Sequence, residues 1–282
     1  MEAISTKDEL TEQLSEWRAE GDHIALVPTM GNLHAGHLSL IDAAREHAER
    51  VVVSVFVNPT QFGVDEDFDD YPRTLDRDTR RLRKVRADVL FAPDVETIYP
   101  FGIEQATQVI VPQLTDTLCG AHRPGHFDGV TTVVTRLFAL VQPDVALFGL
   151  KDFQQQMVIR RMTEDLHIPI NIVSVPTVRE EDGLAMSSRN SYLDETQRAI
   201  APELFKVLNR TADEIRHGES DFAGLESLMH ESIAAGGFRP EYAAIRNASD
   251  LSEPTAETRE FAILVAAYLG ETRLIDNVRV SR

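Results

Sequence analysis

Three short stretches of this chain combine residue types that handle anions. The first is Leu26 to Ile41, LVPTMGNLHAGHLSLI, where His34 and His37 flank Gly36 at the start of an amphipathic run. A helix start has N–H groups without intrahelical partners and the positive end of the helix dipole, so a glycine loop leading into one suits a phosphate or carboxylate. Two imidazoles placed there would face the anion. A metal site is the competing chemistry, but it needs further ligands at spacings this stretch lacks. The second stretch is Gly149-Leu150-Lys151-Asp152. Lysine there can set a point charge on a phosphate, and aspartate can accept from ribose hydroxyls or cap the next helix. The third is Met186-Ser187-Ser188-Arg189. Two hydroxyls and a guanidinium in a loop can close over a phosphate. Taken singly, these stretches also read as a helix cap, a solvated lysine and a surface loop.

The elements around them are legible from periodicity. Apolar Ile24 to Val27 reads as a strand end, and the spacing predicts a helix from Gly36 to Ala48. Val51 to Val57, VVVSVFV, is β-branched and nearly free of polar residues, the pattern of a strand buried on both faces of a parallel sheet. Asn58-Pro59-Thr60-Gln61-Phe62-Gly63 follows at its carboxyl end, where open α/β sheets bind ligands. Helices are predicted over 75–85, 130–141 and 153–166, and strands over 88–92, 107–111, 144–148 and 170–175. This alternation predicts an α/β fold with a doubly wound, Rossmann-like parallel sheet. Near the start, Thr6 and Glu9 form a capping box for a helix to Arg18 that buries Leu10, Leu14 and Trp17.

After Val178 the pattern changes. A turn at Glu180-Glu181-Asp182-Gly183 precedes the Met186 loop, and Asp194 with Gln197 caps a long helix reaching about His217. A helix over 222–235 and strand-like runs at 241–246, 260–269 and 272–275 complete an α+β segment. We therefore expect one domain over residues 1–179 and a smaller one over 180–282, with the Met186 to Arg189 loop at its start.

Composition excludes several classes. The 282 residues carry a net charge of −18, which argues against a general nucleic-acid or anionic-membrane binder, so a polyanionic ligand must meet a local basic pocket. Cys119 is the only cysteine, which rules out an internal disulfide and a cysteine-based metal cluster. The first residues do not resemble a signal peptide, and no apolar run approaches the roughly 20 residues that span a bilayer. A cytoplasmic protein is expected.

Together the three stretches resemble the nucleotidylyl-transferase superfamily that pairs an H-x-G-H motif with a K-M-S-K-S-like loop. More closely, the chain resembles the pantoate–β-alanine ligase family. The likeness rests on PTMGNLHAGHLSLI, FVNPTQFG, DYPRT, RPGHFDGV, GLKDFQQ, VPTVREEDGLAMSSRNSYL and the late RLIDN, in that order over nearly the whole chain. It implies joining of (R)-pantoate to β-alanine through a pantoyl adenylate, with ATP as co-substrate, Mg2+ accompanying ATP, release of AMP and pyrophosphate, and a homodimer. The alternatives within this resemblance are another nucleotidylyl transferase of the superfamily and a non-catalytic nucleotide-binding relative.

By the same resemblance, Met30, Gly31, Asn32, Leu33, His34, Ala35, Gly36 and His37 line the ATP site, with both histidines on phosphate oxygens. His37 is either a proton donor or an electrostatic clamp. Gly149, Leu150, Lys151, Asp152 and Val178 hold the nucleotide, with Lys151 reaching its phosphates, while Met186, Ser187, Ser188 and Arg189 close over the triphosphate. Gln61 and Gln155 hold pantoate, and Gln61 borders the β-alanine site. Asn58, Tyr71 and Arg123 are further substrate-binding candidates. One residue departs from the family pattern: Leu150 stands where glutamate is usual.

Overall fold

The computed structural model describes residues 1–64 and 66–282. In chain order its first elements are β1 (Glu2–Ile4), α1 (Lys7–Glu20), β2 (Ile24–Thr29), α2 (Ala35–Ala44), β3 (Arg50–Val55), α3 (Leu75–Lys84) and β4 (Val89–Phe91). There follow α4 (Val95–Ile98), α5 (Cys119–His122), α6 (His126–Val141), β5 (Val145–Gly149), α7 (Phe153–Asp165) and β6 (Asn171–Val175). The last are α8 (Glu195–Ile200), α9 (Glu203–Arg216), α10 (Phe222–Ala235), β7 (Arg239–Asn247), β8 (Glu260–Leu269) and β9 (Thr272–Ser281). The chain forms two compact units. One comprises Met1–Thr115, Arg123–Leu150 and Gln155–Pro176, the other Asp116–His122, Lys151–Gln154 and Thr177–Arg282.

In the first unit, strands pair in the order β1-β4-β3-β2-β5-β6, all parallel. Val51, Val52, Val53 and Ser54 are 0% exposed, because β3 lies between β4 and β2 and both its faces are covered. Ala25, Val27, Val51, Val53, Val145 and Leu147 pack with Leu40, Ile41 and Ala44 of α2 and Leu82 of α3. The intervening Leu26, Val52 and Ala146 are equally buried, and on α6 Phe138 meets Phe148 of β5 edge-on at 6.5 Å. This is the expected α/β fold with its parallel sheet. α1 begins as expected, with Thr6 Oγ1 accepting from Glu9 N–H at 3.3 Å and the Glu9 carboxylate accepting from Thr6 N–H at 3.2 Å.

Three elements of the first unit differ from expectation. Residues 107–111 are not a strand: Val109 N–H donates to Thr132 Oγ1 at 3.0 Å and its carbonyl accepts from Thr131 Oγ1, so helix side chains satisfy a backbone that would otherwise need a neighbouring strand. β1 has no sequence signal, since three residues carry no periodicity; it exists because β4 offers an edge, pairing Glu2 with Val89 and Ile4 with Phe91. α6 starts at His126 rather than Val130, after Gly125 turns the chain at φ 80°.

In the second unit, β7, β8 and β9 form an antiparallel sheet in that order, and α9 and α10 bury Leu204, Leu208, Ile215, Met229 and Ile233 against Phe261, Ile263 and Val265. The Asp194–Gln197 capping box is present. The single long helix predicted from it is two, α8 and α9, divided at Pro202, which has no N–H to continue the helical ladder. β9 extends to Ser281 because it pairs with β8 along its full length.

Candidate active site

In the first unit, β2 delivers the chain into Gly31 at φ 83°. An added Cβ at Gly31 would lie 3.0 Å from Val55 Cγ1 and 3.2 Å from Asp78 Oδ2, so only glycine fits both the turn and the close approach. His34 then caps α2. Its Nδ1 accepts from Gly36 N–H at 3.2 Å, and His37 Nδ1 accepts from His34 N–H at 3.3 Å, which closes a capping box made of two imidazoles. The rings lie 4.1 Å apart. A ring nitrogen that accepts from an N–H carries no proton, so this geometry assigns the proton of each imidazole to Nε2.

The loop before the cap is held from α3. Asp78 is 0% exposed; its carboxylate accepts from Asn32 N–H and Leu33 N–H, each at 2.9 Å, and from Thr74 Oγ1 at 3.0 Å. Arg77 donates to the Asn32 side-chain oxygen and Arg81 to the Leu33 carbonyl. Asp78 is not among the residues the sequence motifs single out. The available signal is its spacing four residues before Leu82, the buried apolar residue of a mostly polar helix, which puts the carboxylate on the core-facing side.

Asn58-Pro59-Thr60-Gln61 follows β3 and is organised from within. Asn58 is 1% exposed; its Nδ2 donates to Gln61 Oε1 and to the Gly129 carbonyl, both at 3.1 Å, while its Oδ1 accepts from Tyr99 Oη at 2.7 Å and Thr60 Oγ1 at 3.0 Å. Gln61 Nε2 donates to Met30 Sδ at 3.2 Å, which ties this loop to the chain just before Gly31. A Cβ on Gly129 of α6 would fall on the Thr60 carbonyl, so that glycine sets the approach of helix to loop.

Arg123 pairs with Glu66, Nε to Oε1 at 2.6 Å and Nη2 to Oε2 at 2.5 Å. Burial pushes the Glu66 carboxyl up, but hydrogen bonding and charge from Arg123 outweigh it and hold the group below its ordinary range. Arg123 also lies 3.0 Å from His126 Nε2, and His126 Nδ1 lies 2.8 Å from the Gln61 carbonyl. Tyr71 is buried, with its ring edge-on to Phe62 at 5.7 Å. The first unit thus brings together Met30, the Gly31–His37 loop, Asn58, Gln61 and Arg123. Gly149 and Leu150 lie at and just past the carboxyl end of β5, and Gln155 is half-buried on α7.

The second unit holds the remaining sequence candidates. Lys151 Nζ is 3.9 Å from Asp152 Oδ2, and the Lys151 carbonyl accepts from Asn277 Nδ2 at 2.8 Å. Val178 to Met186 forms a tight hairpin, with Met186 N–H donating to the Val178 carbonyl at 3.0 Å and Glu180 N–H to the Leu184 carbonyl at 2.8 Å. Ser187 Oγ then accepts from Arg189 N–H at 3.2 Å and caps the 3-10 turn Ser188–Tyr192. At the hairpin root, Arg179 forms a bidentate pair with buried Asp276, at 2.6 and 2.8 Å.

Residues 2–279 match the sequence model of the family described as pantoate-beta-alanine ligase. The pantothenate synthetase of Methylococcus capsulatus is 54% identical over 281 residues, covering 100% of this chain and 98% of that protein. That of Pseudomonas savastanoi pv. phaseolicola is 52% identical over 282 residues, with full coverage of both. Among solved structures, pantothenate synthetase from Thermus thermophilus superposes with a TM-score of 0.93 at 46% identity, covering 100% of both chains. The Francisella tularensis pantoate-beta-alanine ligase, complexed with beta-gamma ATP and beta-alanine, gives a TM-score of 0.82 at 33% identity over 99% of this chain and 97% of that one. Identity at this level along the whole length, from the histidine loop to the strand that bears Asp276 and Asn277, means that the chain belongs to the pantoate–β-alanine ligase family.

Proposed function

We propose that the chain condenses (R)-pantoate with β-alanine at the expense of ATP, by way of an enzyme-bound pantoyl adenylate. The observation that carries this reading is the double-imidazole capping box at the start of α2, tied through Met30 to Gln61. It supports the reading because imidazole and backbone N–H groups at a helix N-terminus suit an anion, and the neutral amide tied to the preceding residue Met30 can serve both a hydroxyl and a carboxylate.

A pantoate carboxylate oxygen attacks the α-phosphorus of ATP, the bond to the bridging oxygen breaks, and pyrophosphate leaves. The amine of β-alanine then attacks the acyl carbon, AMP departs with the bonding pair, and the amine loses a proton as the amide forms. No protein side chain becomes covalently attached, so the site works by positioning and charge stabilisation. His34 and His37 act as neutral Nε2–H donors to phosphate oxygens. Their Nδ1 atoms are engaged as acceptors, so protonating either ring would open the capping box; this favours the clamp over the proton-donor role for His37. Met30 to His37, Gly149 to Asp152 and Val178 contact the nucleotide, with Lys151 on its phosphates and Met186, Ser187, Ser188 and Arg189 over the triphosphate. Gln61 and Gln155 hold pantoate. Asn58 acts by orienting Gln61, while Tyr71 and Arg123 shape the loop that presents it.

Mg2+ belongs with ATP in this reading. The donors around the Gly31–His37 loop are imidazole and backbone N–H, suited to phosphate oxygens rather than to a hard cation, and among the described residues no group of three His, Cys, Asp or Glu side chains has metal-binding geometry. Bound to the phosphates, Mg2+ supplies charge neutralisation for the departing pyrophosphate. In this reading the unit that holds the histidine and Gln61 loops is the catalytic one, and the other brings Lys151, Val178 and the Met186–Arg189 loop. The enzyme works as a cytoplasmic homodimer; among the described residues no helix is long and apolar enough to cross a membrane.

The test is an assay of AMP and pyrophosphate release from ATP, pantoate and β-alanine, omitting each in turn. AMP and pantothenate are expected only with all three present in turnover. Release of ADP, or a stable nucleotidylated product with no amine requirement, would overturn the reading.

A further inference from the structure

The RLIDN stretch, Arg273 to Asn277, belongs to the family likeness yet has no part in the chemistry derived above. It lies in β9, where successive side chains point to opposite faces. Asp276 shares its face with Leu274 and Val280, which belong to the core packed with α9. Asn277 shares the other face with Arg273, whose guanidinium pairs with Glu241 at 2.5 Å. Both residues are buried, at 5% and 7% exposed.

Each grips a different segment. Asp276 takes Arg179 in a bidentate pair, and Arg179 further donates to the Gly183 carbonyl at 3.0 Å and the Asn277 carbonyl at 3.2 Å while stacking on Phe205 at 3.7 Å. That guanidinium therefore ties the root and the turn of the Val178–Met186 hairpin to β9, and a planar fork fixes orientation as well as distance. Asp276 also lines a small recess together with Ala185 and Ser187, at the point where the hairpin passes into the serine loop. One residue on, Asn277 Nδ2 donates to the Lys151 carbonyl at 2.8 Å.

We infer that Asp276 and Asn277 are positioning residues for adenylation. One rigid strand sets Lys151 and the Ser187–Arg189 loop in a common frame, so that a lysine and a serine–arginine loop far apart in sequence meet the triphosphate in register. The inference rests on the proposed contact of Lys151 and Ser187–Arg189 with ATP. Neither Asp276 nor Asn277 touches substrate; each acts through the segment it holds.

The test is pantoate-dependent exchange of pyrophosphate into ATP, which isolates adenylation, measured in double-mutant cycles. Asn277→Ala is expected to lower kcat/KM for ATP by about 10- to 100-fold, the scale of an ångström-sized misplacement. In a Lys151→Ala background the same change is expected to cost less than about twofold. Asp276→Asn, nearly isosteric and so compatible with the fold, should show the same pattern against Arg189→Ala. Aminolysis of supplied pantoyl adenylate by β-alanine should stay within about twofold of wild type in both variants, whereas a merely structural loss would lower both half-reactions alike. Additive losses, equal losses in both half-reactions, or wild-type exchange in both variants would overturn the inference and leave the site reading standing. Normal exchange in Lys151→Ala and Arg189→Ala would overturn the site reading, and the inference with it.

Discussion

The Gly31–His37 loop and the Val178–Arg189 hairpin both offer donors suited to phosphate, and they are built in contrasting ways. The histidine loop is fixed mainly by its neighbours in sequence: a left-handed glycine, a capping box spanning four residues and the N–H groups of α2. Its main distant support is Asp78. The hairpin has short internal bonds too, but its orientation depends on Arg179 reaching Asp276, 97 positions along the chain, while the neighbouring Asn277 reaches Lys151, 126 positions back. A site set by local bonds costs little additional chain entropy once its helix exists. A site set by distant pairs exists only when the sheet that holds those pairs is complete.

Breaking the local device should have the largest effect. His37→Ala is expected to slow adenylation by about 10²–10³-fold, roughly 3–4 kcal/mol of transition-state stabilisation. His37→Gln, whose amide restores an N–H donor, should recover at least about tenfold of that loss. Failure of glutamine to rescue, with alanine severely impaired, would return His37 to the role of proton donor. Next comes the distant support of the same loop. Asp78→Ala leaves two buried N–H groups without acceptors, with an expected loss of about 3 kcal/mol in denaturant unfolding and a fall in ATP use. Normal ATP use in the folded variant would show that local bonds alone set the loop and would sharpen the contrast with the hairpin.

Gly129→Ala tests a third construction, a close helix approach. The added methyl group would push the Thr60–Gln61 backbone outward, and kcat/KM for pantoate should fall about tenfold, about 1.4 kcal/mol, with little change in the KM for ATP. Equal losses for both substrates would point to general unfolding. The smallest effect concerns Glu66. Its folded-state carboxyl titrates below the ordinary value, so the Arg123 pair stabilises the protein above that value and the contribution is lost as pH falls through the folded-state value. Glu66→Gln should be less stable near neutral pH, on the order of 1 kcal/mol for a partly exposed pair, and the gap should close on acidification. A gap that widens in acid would reverse the assignment.

Much of this is readable in advance because its causes are local. Thr6 with Glu9 and Asp194 with Gln197 announce two helix starts. The run VVVSVFV announces a strand covered on both faces, and alternation of strand and helix announces the parallel sheet. Most of the errors fall where local pattern is silent or misleads, whereas the helix break at Pro202 is one that the local sequence carries. Residues 107–111 have strand composition but find their hydrogen bonds on Thr131 and Thr132. Three residues at the start become β1 because an edge is there to receive them, and Asp78 looks like one more charge on a polar helix until its burial is seen.

By itself, the sequence determined the order of strands and helices, the helix start at His34 and His37, and the family, because periodicity, capping and motif order are properties of neighbouring residues. Tertiary structure alone decided that Asp78 of α3 holds the histidine loop, that Asn58 and Gly129 orient Gln61, and that Asp276 and Asn277 hold the hairpin and Lys151. Those depend on buried hydrogen bonds between residues far apart in the chain. A buried donor or acceptor takes the partner that folding brings to it, and no spacing in the sequence encodes that partner.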